Sequence, residues 1–261
     1  MRNILYTANY SINWDYFKGL QDWHIYSLYY LRRYCEKHNI ELRVIDNSNV
    51  KMDGLYKTAK KLSFDGADSW NIATWSSLVA MDDFLWHSDA DNFAWVDLDI
   101  CIIKPGLNIF NYLEKDVMID YKTVTDPKPC KKRAFVEDMT GSKYEKYCNT
   151  SIIMANRGGV ADIQNKLTNL NVNPLNSLER IINCWLTTDD GYQIICDEGL
   201  MECFLNSFGY TRLQPWPADL VSEVVTSLDF NDFWLDRFSY HFASATKPMI
   251  KRFWQERNIY Q

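Results

Sequence analysis

The chain opens with a strand, a helix and a second strand joined by short links, and that order restricts it to few architectures. Asn3-Ile4-Leu5-Tyr6-Thr7-Ala8 is a largely apolar run that passes into a polar loop, Asn9-Tyr10-Ser11-Ile12-Asn13. Trp23, Tyr26, Tyr30, Leu31, Tyr34 and Cys35 then recur at helical spacing, which predicts a helix over roughly 20–38. Glu41-Leu42-Arg43-Val44-Ile45-Asp46 reads as a second strand ending in a carboxylate. A strand–helix–strand unit implies parallel strands, because only a crossover can return the chain to the same sheet edge.

A further helix is expected over 70–87, with Ile72, Trp75, Leu78, Val79, Met81 and Leu85 packing. It is followed by a strand at 93–97 that delivers Asp97 and Asp99 at its end. Residues two apart on a strand point to one side. Asp97-Leu98-Asp99 therefore aims two carboxylates together, and a bound cation is the usual relief for their repulsion. In open α/β sheets ligands bind beyond the carboxyl ends of the strands, which is where the pair falls. Thr150–Ala155 reads as another strand and 159–168 as a helix. A helix opening at Asp197-Glu198-Gly199 carries Leu200, Cys203, Phe204 and Phe208 on one face, with Asp197 as N-cap and Gly209 as stop. Residues 121–147, punctuated by Pro127, Pro129 and Gly141, read as a polar loop with seven basic and four acidic residues.

Composition excludes some classes. A net charge of -6 argues against a dedicated nucleic-acid binder. The seven cysteines (Cys35, Cys101, Cys130, Cys148, Cys184, Cys196 and Cys203) form no CxxC pair and no zinc spacing. They are expected to be reduced thiols, which predicts a cytoplasmic location. The start, Met1-Arg2-Asn3-Ile4-Leu5-Tyr6, lacks the apolar core of a signal peptide. No apolar run approaches the roughly 18 residues of a membrane span, so no transmembrane helix is expected.

The run Phe93–Pro105, with Asp-x-Asp after a strand and Lys104-Pro105 closing it, resembles the metal-binding motif of GT-A-fold glycosyltransferases, in particular the glycogenin-like group. Tyr6-Thr7-Ala8-Asn9-Tyr10 is similar to that family's first strand and loop, which hold base and ribose. Asn149–Gly158 is similar to its second signature strand. Asp197-Glu198 resembles the acidic pair beneath the transferred sugar, and Tyr240–Pro248 the C-terminal His…Lys-Pro element. The resemblance spans about 6–248. It implies a mixed, mostly parallel α/β sheet with flanking helices, one unit over 1–261. Residues 1–105 would be the nucleotide-binding half and 106–261 the acceptor half.

It also implies a metal held by Asp97, Asp99 and His241. Oxygen ligands with one imidazole suit Mn²⁺, with Mg²⁺ as the alternative. Lys247 would meet the diphosphate. Thr7, Ala8, Asn9 and Asp46 would meet the nucleoside, Asn149 the donor side, and Asp197 or Glu198 the sugar, or one of them would act as base if the enzyme inverts. The implied reaction is transfer from a nucleotide-sugar, a UDP-sugar first, to a hydroxyl, with retention. Departures from the glycogenin-like pattern are Trp75, Ser76 and Ser77 where a basic residue is usual, Asp-Glu for Asp-Gln, Ala243-Ser244-Ala245 without the usual glycine, and Met249 where a Trp follows the Pro.

The acceptor is open between a saccharide, a protein and a hydroxylated base in DNA. For DNA, Lys131, Lys132 and Arg133, with Phe135 and Tyr144 nearby, would hold the backbone and stack a base. Two other readings compete. One is a non-catalytic nucleotide-sugar-binding protein of the same fold. The other is a haloacid-dehalogenase-type phosphatase, whose Asp-x-Asp sits near the N-terminus, unlike Asp97.

Overall fold

A computed structural model describes residues 1–9, 23–46, 48–61, 73–125, 131–186, 196–207, 212–220, 222–225, 237–242, 246–247 and 249–256. The sequence readings for Tyr10–Asn13, residues 70–72, Pro127, Pro129, Cys130, Phe208, Gly209, Ala243–Ala245 and Pro248 lie outside the described residues.

The strands are β1 (Asn3–Ala8), β2 (Glu41–Ile45), β3 (Asn92–Val96), β4 (Ile100–Ile102), β5 (Val117–Thr123), β6 (Lys146–Asn156), β7 (Leu213–Pro215), β8 (Ser222–Val225) and β9 (Ser239–Phe242). The helices are α1 (Trp23–Lys37), α2 (Val50–Lys61), α3 (Ser76–His87), α4 (Lys131–Thr140), α5 (Arg157–Asn169), α6 (Pro174–Leu186), α7 (Asp197–Asn206) and α8 (Met249–Glu256). The central sheet has the order β2-β1-β3-β6-β5-β7, and a smaller sheet has the order β4-β9-β8. β1 pairs in parallel with both β2 and β3, so the opening strand–helix–strand unit is what its sequence requires. β6 runs antiparallel to β3 and β5, while β7 is parallel to β5.

Alternation along the strands builds two cores. Ile4, Tyr6, Phe93, Trp95, Ile153 and Ala155 face one side, against residues of α2, α3, α5, α6 and α7. Leu5, Ala94, Val96, Ile152 and Met154 face the other, against Leu31, Tyr34 and Cys35 of α1. A third cluster joins Trp23, Cys101, Tyr240, Phe242, Phe253 and Trp254, and so fastens the small sheet and α8 to the start of α1.

One junction is unusually tight. Asn156 caps α5, its Oδ1 accepting from Gly159 N at 2.8 Å. The Asn156 amide group donates from Nδ2 to Asp116 Oδ1 at 2.8 Å, and Asn156 N donates to Asp116 O at 2.9 Å. A Cβ placed on Gly159 would lie 2.1 Å from Asp116 O, so only glycine fits. The adjacent Arg157 donates to the carbonyls of Leu85, Ser88 and Ala90 and ties the end of α3 to the approach to β3.

Three sequence expectations need correction. Asp97-Leu98-Asp99 does not lie on a strand: β3 ends at Val96, and Ile100 N donates to Asp97 O at 3.0 Å in a turn that carries the chain from the central sheet into β4. The two carboxylates are brought together by that turn, with Leu98 rotated into the third core. The loop expected over 121–147 contains the helix α4, whose Val136 is fully buried. Asp197 is not the N-cap of α7. Cys196 holds that position, and Asp197 is the first helical residue.

Candidate active site

The carboxyl ends of β1, β2 and β3 share one edge of the central sheet, fixed by the pairings Ala8 with Ile45 and Tyr6 with Trp95. Thr7, Ala8, Asn9, Asp46 and Asp97 all lie there. Thr7 is fully buried, and its Oγ1 has no hydrogen-bond partner among the described residues. Asn9 N donates to Ile45 O at 2.9 Å and prolongs the β1–β2 ladder. Asp46 Oδ1 accepts from Ser48 N at 2.8 Å and Ser48 Oγ at 2.6 Å, which closes the turn after β2.

Asp97 is held at both main chain and side chain. Its N donates to Ser151 O at 2.8 Å, and its Oδ1 accepts from Trp95 Nε1 at 2.8 Å. Ser151 is placed in turn by Asn149, whose Oδ1 accepts from Ser151 N at 2.9 Å. Asn149 thus sits two residues from the strand position that fixes Asp97. Across the small sheet, Ile100 of β4 pairs with His241 of β9. This register carries His241 Nε2 to 3.5 Å from Asp99 Oδ1. Lys247 Nζ lies 2.7 Å from Asp99 Oδ2 and 5.4 Å from the centre of the Trp23 ring.

One ligand atom from each of Asp97, Asp99 and His241 lies within 4.8 Å of the others. Asp99 Oδ1 and His241 Nδ1 are both buried without a hydrogen-bond partner among the described residues. A buried carboxylate oxygen left in that state is costly unless a cation faces it. Two carboxylates with one imidazole therefore fit a divalent metal in donor type and spacing. Electrostatics agree. Burial, followed by the charges of Asp99 and Asp197, pushes the Asp97 carboxyl well above the ordinary range. For Asp99, burial pushes the same way, but Lys247 and His241 outweigh it and hold the carboxyl below the ordinary value.

Asp197 opens α7 facing this group. Burial raises its carboxyl to about 7, against the hydrogen bond from Thr150 that favours the ionised form. Its N lies 3.4 Å from Thr74 Oγ1. Glu198 is also raised by burial, with Lys132 and His241 opposing. Trp75, Ser76 and Ser77 are fully buried, so the start of α3 is core.

Lys132, Trp95, Thr74 and Thr150 complete the surroundings, and sequence reasoning misses all four in this role. Only Trp95 leaves a trace, as the polar-edged aromatic two residues before Asp97. The basic run of 131–133 does not form one outward face: Lys132 Nζ reaches Glu202 at 2.8 Å, and Arg133 Nε pairs with Glu137 at 3.0 Å. Cys35, Cys101, Cys148, Cys196 and Cys203 are all buried. Among the described residues no helix is long and apolar enough to cross a membrane.

No protein-family model matches the chain, and no curated protein sequence matches it. Solved structures do. Mouse xyloside xylosyltransferase 1 in its apo form superposes with a TM-score of 0.51 at 10% identity, over 94% of this chain and 99% of that one. A glycosyltransferase involved in glycosylation of the major capsid of PBCV-1 gives 0.48 at 8% identity, over 98% and 100%. The galactosyltransferase LgtC, in complex with donor and acceptor sugar analogues, gives 0.46 at 11% identity, over 97% and 94%. The likeness is one of fold: the chain has the GT-A fold of glycosyltransferases.

Proposed function

We propose that the chain is a metal-dependent glycosyltransferase that transfers a sugar from a nucleotide diphosphate donor, a UDP-sugar first among them, to a hydroxyl acceptor with retention. The observation that carries this is the meeting of Asp97, Asp99 and His241 at the carboxyl edge of the GT-A sheet, with Lys247 on Asp99. We read residues 1–105 as the nucleotide-binding half and 106–261 as the acceptor half of one unit. Mn²⁺ suits the mixed carboxylate and imidazole set, and Mg²⁺ is the alternative.

Catalysis here is stabilisation of a leaving group on which negative charge grows as the sugar bond breaks. Asp97, Asp99 and His241 would hold the cation, which supplies charge neutralisation to the diphosphate when bound. Lys247 adds a fixed positive charge beside the same group. Thr7, Ala8, Asn9 and Asp46 present polar and backbone groups to the nucleoside at the ends of β1 and β2. Asn149 and Asp197 flank the donor side, and Glu198 offers a carboxylate to the sugar hydroxyls. Buried thiols at Cys35, Cys101, Cys148 and Cys203 support a reducing, cytoplasm-like setting.

Incubation with UDP-, GDP- and other nucleotide sugars and Mn²⁺, read by release of the nucleoside diphosphate, tests the proposal. Turnover with one donor class that stops on chelation supports it, and the anomer of the product, read by NMR, decides retention. Donor binding without hydrolysis or transfer would make the chain a non-catalytic member of the fold.

A further inference from the structure

Glu198 and Glu202 stand one turn apart on α7, on the same face, where like charges repel. A single ammonium group lies between them. Lys132 comes from α4, is 11% exposed in its side chain, and places Nζ 2.8 Å from Glu202 Oε1 and 4.0 Å from Glu198 Oε2. The same Nζ lies 5.0 Å from the centre of the Tyr147 ring. The two carboxylates differ in freedom. Glu202 is fully buried, and its Oε2 accepts from Tyr144 OH at 3.0 Å, so it is fixed from two sides. Glu198 is 32% exposed in its side chain. Glu202 thus anchors the ammonium, and the ammonium also faces the partly exposed carboxylate of the pair.

We propose that Lys132 is a positioning residue, held by Glu202 and Tyr147, that fixes the Glu198 carboxylate toward the transferred sugar. The inference rests on the glycosyltransferase reading above. It gives the segment between β5 and β6 a part in the donor site: α4 delivers the cation that orients an acid on α7. An anchor for Glu202 alone would not need Nζ to stand within reach of Glu198 as well.

Lys132→Met alone strands the buried Glu202 charge and endangers the fold. The informative variant is Lys132→Met with Glu202→Gln, which buries no charge and keeps an acceptor for Tyr144. Glu202→Gln alone, which retains Lys132, is the control. Folding is followed by circular dichroism and thermal melting, and kinetics by nucleoside diphosphate release from the donor accepted by the wild type. The double variant should melt near the wild type, lose about tenfold or more in kcat, and change KM for the donor less than about threefold. Adding Glu198→Gln to it should cost less than about a further twofold, because the two changes remove one interaction. A folded double variant with wild-type kcat overturns the inference, as does a Glu198→Gln effect that multiplies in full. If the wild type neither binds nor turns over any nucleotide sugar, the glycosyltransferase reading fails and this inference falls with it.

Discussion

Replacing Gly159 with alanine sets two opposed effects against each other, and the structure decides which is larger. In a helix, alanine is favoured over glycine by about 1 kcal/mol. Here the added Cβ would sit 2.1 Å from Asp116 O, 2.7 Å from Asp116 C and 2.8 Å from Val117 Cγ2. Ordinary contact is about 3.5 Å, so α5 or the Asp116 backbone must move by roughly 1 Å or more. The Asp116 contact is backbone and has no rotamer to escape into. Movement strains the bonds from Asn156 N to Asp116 O, from Asn156 Nδ2 to Asp116 Oδ1 and from Gly159 N to Asn156 Oδ1. At about 1 kcal/mol net for each bond, together with an overpacking cost of about 1–3 kcal/mol, the loss exceeds the helical gain. Gly159→Ala should therefore lower the unfolding free energy by about 3–5 kcal/mol, read from the urea midpoint at constant m. Gly158→Ala is the internal control, since its Cβ would meet only Asn156 Oδ1, at 3.4 Å. It should be neutral or stabilising by up to about 1 kcal/mol. The reasoning is refuted if Gly159→Ala lies within about 0.5 kcal/mol of the wild type, or if both alanines destabilise equally.

Other expectations are simpler to state. Asp99→Asn should weaken Mn²⁺ binding, measured by calorimetry, by more than about tenfold and abolish metal-dependent transfer while circular dichroism stays unchanged. Retained affinity would remove Asp99 from the ligand set. Asp197 carries a folded-state value of about 7, above the ordinary aspartate value near 4, so in metal-free protein its contribution to stability is full below about 4 and is lost as pH rises toward 7. Asp197→Asn should flatten that decline in unfolding free energy, and an unchanged slope would assign it to other groups. Arg157→Ala removes donors to the carbonyls of Leu85, Ser88 and Ala90 and should cost about 2–4 kcal/mol in urea unfolding, whereas a loss below about 1 kcal/mol would mean that water replaces the guanidinium.

The strongly periodic parts of the chain are legible in its sequence. β1, α1, β3 and α5 follow from alternation or helical spacing because each buries one face or both, and β2 follows from its β-branched run although only Ile45 of it is buried. α2 is not legible: its window carries polar residues throughout, and among its described side chains only Met52, Leu55 and Ala59 are buried. α4 is hidden by the prolines before it and by its charged surface. The pairing of β4 with β9 is beyond local pattern, since three- and four-residue strands specify little about a partner far along the chain. The cluster of Asp97, Asp99 and His241 proposed to hold a metal nevertheless follows from residue type and order. Their geometry does not, because strand alternation fails where the chain makes a turn. Lys132 reads in sequence as a charge on a solvated loop, or one for an outside partner. Its real neighbours lie on α7, a tertiary contact that sequence spacing does not encode.

The short ladder between β4 and β9 has a kinetic meaning as well as a spatial one. Asp97 and Asp99 belong to the first half of the chain, whereas His241 and Lys247 arrive near its far end and are registered to them through that ladder. Contacts so distant in sequence bear the largest loop-closure entropy and are disfavoured until much else has assembled. A cation that needs all three ligands binds only molecules in which this late closure has happened, and mass action then stabilises that population alone. On the metal reading proposed above, cation affinity would double as a measure of completed folding. A chain whose central sheet is formed but whose β9 has not docked would retain helical signal and lose cation binding, so titration with Mn²⁺ would count the finished molecules in a preparation.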